Sequence, residues 1–137
     1  MSGDWSPAPR ADWVVVYGTL MRGHTNHHWL AGAPCQGRVR LPSLALHDLG
    51  PFPMAVPGPG SLIGELYRVE AATLQRLDRL EGVPRLYRRW RWRSIDGPWV
   101  WVYVGQPHQV RHSPHLQDGH WPGPRQGRRQ DGDRDPP

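Results

Sequence analysis

Only one stretch of this chain repeats with the period of a helix. In "EAATLQRLDRLEG", residues 70 to 82, Ala71, Leu74, Leu77 and then Leu80 or Glu81 recur three or four residues apart, and Gly82 stands where a helix stop is expected. The spacing predicts one amphipathic helix that buries its leucine stripe against a sheet. Most of the other ordered text consists of short β-forming runs. "DWVVVYG", residues 12 to 18, is a β-branched strand closed by Gly18. "SLIGELYRV", residues 61 to 69, reads as a strand with Leu62, Gly64, Leu66 and Arg68 on one face and Ile63, Glu65, Tyr67 and Val69 on the other. "YRRWRWRSI" and "PWVWVYVG" flank Asp96 and Gly97, which predicts a hairpin closed by a tight turn of positive φ. Between residues 38 and 63, apolar pieces alternate with "LPS", "GPFP" and "PGPGS", a pattern of strands and turns. Residues 24 to 31 suit a short helix capped by Thr25 or Asn26.

With 137 residues the chain can build one real core but not two comfortable ones. Residues 1 to 11, rich in Ser, Pro, Gly and Asp, are expected to form a flexible arm, residues 12 to 121 the domain, and residues 122 to 137 a disordered tail with almost no apolar side chains. The net charge is +5, and all 17 basic residues are arginine, so a basic surface could attract nucleic acid or an anionic substrate. An all-arginine basic set can equally reflect genomic base bias. The single cysteine, Cys35, excludes an intramolecular disulfide and agrees with a reducing compartment. No secretory leader is visible at the N-terminus, and runs such as "WVVVY" fall far short of the roughly 20 apolar residues that span a bilayer. The expectation is a soluble cytoplasmic protein with no membrane partner.

Five features could carry chemistry. Glu81 falls on the inward stripe of the helix, where a carboxylate is costly unless partnered or used; position alone leaves open whether it slips past Gly82 into solvent. Beside it, Asp78 and Arg79 read as an ordinary solvated face with weak ion pairing. "YGTL", residues 17 to 20, ends a strand in a glycine turn whose N–H groups could point at an anion or a carbonyl oxygen. His24, His27 and His28 invite a zinc reading, but Cys35 and His47 supply no ligand spacing to complete it, so no metal is expected. Cys35 lacks a histidine and acid in a nucleophile pattern. "RLYRRWRWR" interleaves arginine and aromatics as nucleic-acid modules do. On a strand, however, it places Arg89, Arg91 and Arg93 on one face and Arg88, Trp90 and Trp92 on the other, which is simply amphipathic.

The order of these pieces resembles the γ-glutamylcyclotransferase-like family, including its γ-glutamylamine cyclotransferase branch. "VVVYGTLMRGHTNHHWL", "LGPFPMAVPGPGSLIGELYRV", "ATLQRLDRLEGVPRLYRR" and "WVWVYVG" carry the likeness from Val14 to Gly105, and "LQDGHW" at 116 to 121 is similar to a Gly-Asp-Trp near the end of many bacterial members. Position 120 departs from it, being His where many relatives have Asp, so the terminal part is expected to dock differently. The resemblance implies a small α+β fold with a mixed, barrel-like sheet flanked by helices. It implies that Glu81 is the catalytic acid and base, that the backbone of Gly18, Thr19 and Leu20 holds a γ-glutamyl group, and that Tyr17 and Tyr87 line the pocket. Asn26 would support the loop, and the histidines would be incidental. It further implies release of 5-oxoproline and a free amine from a small-molecule γ-glutamyl substrate, without cofactor or metal. Nucleic acid is not an expected partner, and a homodimer is compatible with the pattern. The competing reading is a catalytically idle relative that uses its basic surface to bind nucleic acid or protein.

Overall fold

The computed structural model describes residues 11–124. Residues 1–10 of the expected arm and 125–137 of the expected tail lie outside the described residues. Five strands form one sheet: β1 (Ala11–Val16), β2 (Cys35–Asp48), β3 (Pro53–Glu70), β4 (Arg88–Arg93) and β5 (Trp99–Val104), in the order β2-β3-β1-β5-β4. The sheet is mixed. β1 runs parallel to β5, with Val14 opposite Trp101, while the β1–β3, β2–β3 and β4–β5 pairs are antiparallel. β1 lies at the centre, and Val14, Val15, Val16 and Tyr17 are consecutively buried, as a strand covered on both faces requires.

The sheet curls because its longest hairpin bends. Around "PGPG" β3 loses its regular pairing, and opposite it β2 shifts register between Pro42 and Leu44, with Ser43 at φ 62°. The first part of β3 then reaches the end of β5, where Gly105 N–H donates to the Ala55 carbonyl. The outermost strands also meet. Trp92 Nε1–H donates to the Pro42 carbonyl at 2.7 Å, and Ile95 N–H to that of Arg40 at 3.1 Å. The result is the α+β, barrel-like architecture expected of the sequence, with helix α1 (Ala71–Leu80) packed on β1 and β3 and a 3-10 turn at His27–Leu30. No helix among the described residues is long and apolar enough to cross a membrane.

Three local expectations are corrected. Ala71 is exposed, and the buried face of α1 is Thr73, Leu74 and Leu77. The β4–β5 connection is not a tight Asp-Gly turn of positive φ: it spans residues 94 to 98, and the Ser94 hydroxyl and N–H both donate to the Pro98 carbonyl, at 2.7 and 3.4 Å. Asp78 is not a loosely paired surface residue. Its carboxylate accepts Arg89 Nε–H and Nη2–H at 2.7 and 3.1 Å and the Tyr103 hydroxyl at 2.8 Å, which ties the end of α1 to β4 and β5.

The C-terminal segment lies along β2 and β3. Leu116 N–H donates to the Leu46 carbonyl and Ile63 N–H to that of Gly119, and Trp121 is fully buried with its ring 5.1 Å from that of His24. His120 itself stays half-buried at the edge.

Candidate active site

Where β1 ends, Tyr17 enters the core and the chain turns sharply. The turn depends on Gly18: a Cβ there would lie 2.8 Å from Pro53 Cδ. Each carbonyl that follows is engaged by the scaffold. That of Gly18 accepts from Met21 N–H at 3.0 Å, that of Thr19 from Asn26 N–H at 2.9 Å, and that of Leu20 from His27 Nδ1 at 2.9 Å. Asn26 Nδ2 adds a bond to the Thr19 hydroxyl at 2.9 Å. Among the described residues nothing accepts from the backbone N–H groups of Gly18, Thr19 and Leu20. The turn therefore offers donors and keeps its acceptors for itself. The sequence reading takes the histidines as incidental, but His27 holds this turn in place through the Leu20 carbonyl; His24 packs on Trp121 and His28 beside Trp29.

A second network fixes the far side of the turn. The Glu65 carboxylate accepts Arg22 N–H at 2.9 Å, the Tyr67 hydroxyl at 2.8 Å and Arg22 Nε–H at 3.3 Å. Burial pushes Glu65 up, but these donors and the Arg22 charge hold it below the ordinary carboxylate value. The alternation of β3 places Glu65 inward, which is the signal by which sequence reasoning could have found it.

Glu81 arrives from α1. It is the C-cap, its N–H bonded to the Leu77 carbonyl at 2.8 Å. Gly82 N–H then donates to the Arg79 carbonyl and Val83 N–H to that of Asp78, a Schellman closure that requires the left-handed Gly82, φ 66°. The closure stops the helix so that the Glu81 carboxyl stays on the cavity wall instead of continuing around the surface. Among the described residues no hydrogen bond reaches that carboxyl, and burial pushes its pKa up to about 7.

One cavity of about 190 Å³ collects these pieces. Tyr17, Gly18, Thr19, Leu20, Asn26, Glu81 and Tyr87, all seven residues singled out by resemblance, line it. Sequence reasoning missed Tyr103, Phe52, Pro53, Leu80 and Leu86, which with Val15 and Val16 of β1 complete the wall. The tyrosine hydroxyls are committed to the fold: Tyr17 donates to the Tyr103 carbonyl and Tyr87 to that of Pro53, each at 2.6 Å, while Ala55 N–H donates to the Tyr17 hydroxyl at 3.0 Å. Burial pushes all three phenols, Tyr17, Tyr87 and Tyr103, far above their ordinary value. They are neutral walls around a single titrating carboxyl. Among the described residues no three His, Cys, Asp or Glu side chains converge as metal ligands would.

The family described as gamma-glutamyl cyclotransferase, AIG2-like, matches residues 14–123. The gamma-glutamylcyclotransferase family protein YtfP of Escherichia coli (strain K12) is 38% identical over 95 residues, covering 68% of this chain and 81% of that protein. The gamma-glutamylaminecyclotransferase of Bos taurus is 32% identical over 125 residues, covering 77% of this chain and 73% of that protein. The crystal structure of an AIG2-like protein from Mus musculus superposes with a TM-score of 0.68 at 26% identity, covering 79% of this chain and 87% of that one.

Proposed function

The chain belongs to the gamma-glutamyl cyclotransferase, AIG2-like family, and from that membership and the cavity we propose that it converts a γ-glutamyl amide into 5-oxoproline and a free amine, with Glu81 as acid and base. The observation that carries this reading is the Glu81 carboxyl, without a hydrogen-bond partner among the described residues, on the same cavity wall system as the free N–H groups of residues 18 to 20.

The chemistry asks for little else. In a γ-glutamyl amide the α-nitrogen can reach the γ-carbonyl carbon and close a five-membered ring, so holding a bent conformer exploits the large effective molarity of an intramolecular attack. At neutral pH the nucleophile begins as an ammonium. Glu81, with its pKa near 7, is charged often enough to take a proton from it and neutral often enough to return one. The C–N bond of the ring forms, charge gathers on the former carbonyl oxygen, and the N–H groups of Gly18, Thr19 and Leu20 are suited to meet it. The exocyclic C–N bond then breaks. Two protons leave the ammonium in all, one as it becomes a nucleophile and one as the lactam forms; both end on the departing amine, and one carboxyl can carry each in turn. Tyr17, Tyr87 and Asn26 shape the space for the glutamyl chain.

The test is release of 5-oxoproline from a panel of γ-glutamyl dipeptides, glutathione, γ-glutamyl-ε-lysine and γ-glutamylated amines. Release from at least one supports the reading, and silence on every one removes it.

A further inference from the structure

The hairpin of β4 and β5 contributes only Tyr103 to the cavity. The sequence reading makes β4 an amphipathic strand, but it buries neither face: Trp90 is 42% exposed, Arg88, Arg91 and Arg93 are exposed, and Arg89 and Trp92 are half-buried. On one face β5 sets Trp101 opposite Arg91 and Trp99, itself 49% exposed, opposite Arg93. Guanidinium groups stand over both rings: those of Arg89 and Arg91 lie 4.2 and 5.2 Å from the centre of Trp101, and that of Arg93 lies 5.9 Å from the centre of Trp99. On the other face Trp90 stacks on Trp92, ring centres 6.3 Å apart. Five arginines fall from residue 85 to residue 93, and of these only Arg89 has an ion pair among the described residues, with Asp78. Asp96 is the one acid between residues 82 and 110.

From this arrangement we propose that the hairpin face carrying Arg91, Arg93, Trp99 and Trp101 docks single-stranded nucleic acid, with phosphates on the two arginines and a base on Trp99. The proposal is independent of the cyclotransferase reading. A guanidinium lying on an indole keeps its N–H edge free for an anion, and the stacking orders a long side chain before any ligand arrives. Arg91 and Arg93, two residues apart on one strand, project about 7 Å apart, an interval that suits neighbouring phosphates of an extended strand. The half-exposed ring of Trp99 offers the flat face on which a base stacks whatever its identity. Charge and shape together select this occupant. A second copy of the chain would bring the same unpaired arginines face to face. An acidic peptide meets the charge and leaves Trp99 uncovered. An anionic bilayer takes up surfaces whose apolar and charged faces are separate, whereas Trp99 and Trp101 share theirs with arginine. In a duplex the bases are already stacked on each other and cannot reach the ring.

The experiment measures fluorescence anisotropy of a labelled oligothymidylate of about 12 nucleotides, within the span one small fold covers, titrated with the full chain between about 50 and 200 mM salt. Binding at the lower salt is expected with a Kd of about 10–100 µM, and the duplex of the same length should bind more weakly. Trp99→Leu, which changes no charge, should weaken binding about tenfold, and Trp99→Phe, which keeps a flat ring, should retain most of it. Arg91→Gln with Arg93→Gln should lower the slope of log affinity against log salt by about 1.4, the share of two phosphates on a single strand. Arg38→Gln with Arg76→Gln removes the same charge from exposed positions outside the hairpin and should change affinity far less. Equal melting temperatures show that each variant keeps the fold. No binding at the lower salt, an unchanged affinity in Trp99→Leu, or an equal loss in the Arg38 and Arg76 pair overturns the proposal. So does tighter binding of polyglutamate or of phosphatidylserine vesicles than of the oligonucleotide. The 5-oxoproline assay bears on the cavity alone, so its failure leaves this proposal standing.

Discussion

Replacing Glu81 by Gln keeps the size of the side chain and removes the group that can take and return a proton. Burial alone raises its pKa from 4.5 to about 7. A change of that size means the folded state disfavours the charged carboxyl by roughly 3 kcal/mol relative to the unfolded chain. The sign follows from linkage: the folded value lies above the unfolded one, so between them the folded protein holds a proton that the unfolded chain has lost. Stability from this group is full below about pH 4.5, declines as pH rises, and is gone once pH has passed about 7. The amide of the variant does not titrate in this range. Glu81→Gln should therefore match the wild type near pH 4 and exceed it by up to about 3 kcal/mol at pH 8, a gain in Tm on the order of 10 °C for a domain of this size. Turnover should move the other way, falling by roughly 100-fold or more with KM little changed. The wild-type kcat/KM should rise with pH through a limb near 7, which the variant lacks. Paired thermal melts at pH 4 and 8 and 5-oxoproline release on the same preparations read all of this. A variant that turns over normally and melts below the wild type at pH 8 would refute both the catalytic assignment and the desolvation reasoning.

Asp78→Asn breaks the paired bonds to Arg89 and weakens that to Tyr103, and because the pair is about a fifth exposed the expected loss is about 1–2 kcal/mol by urea titration. An unchanged midpoint would show that the network contributes nothing. Gly18→Ala pushes a methyl group into the Pro53 ring, so stability should drop by about 1–3 kcal/mol and KM should rise as the turn shifts; unaltered values for both would mean that the turn yields freely. His27→Ala removes the bond to the Leu20 carbonyl. It should raise KM several-fold while melting changes little, and a KM equal to wild type would show that the turn is rigid without it.

The parts of this fold legible in the sequence are those whose signal is local and periodic. α1 announces itself by the 3.6-residue spacing of its leucines, β4 and β5 by alternation, and β1 by a continuous β-branched run. The curl of the sheet does not, because it depends on bonds between residues far apart: Trp92 to Pro42 and Ile95 to Arg40 join the outer strands across 50 positions or more. The Asp96-Gly97 signal failed for a related reason. Pro98 has no N–H to give a tight turn, and its carbonyl is drawn back to Ser94, so a longer loop forms. Asp78 looked solvated because its partners are Arg89 and Tyr103, 11 and 25 residues further on, on strands that only the tertiary fold brings beneath the helix.

The candidate site shows the same division at finer scale. Glu81 could be flagged from its place on the leucine stripe, but the property that matters for "YGTL" is the direction of its backbone groups. A glycine turn after a strand is common, and its N–H and C=O groups ordinarily offset each other in charge. Here Met21, Asn26 and His27 take the three carbonyls and leave the three N–H groups without a partner among the described residues. Leaving buried donors unmet is costly unless something in the cavity meets them. A surface that presents donors alone favours an oxygen that is gaining negative charge and offers nothing to a cation. That polarity requires Asn26 and His27 to sit several residues downstream, where the chain enters its 3-10 turn, so the four letters of the motif could not reveal it.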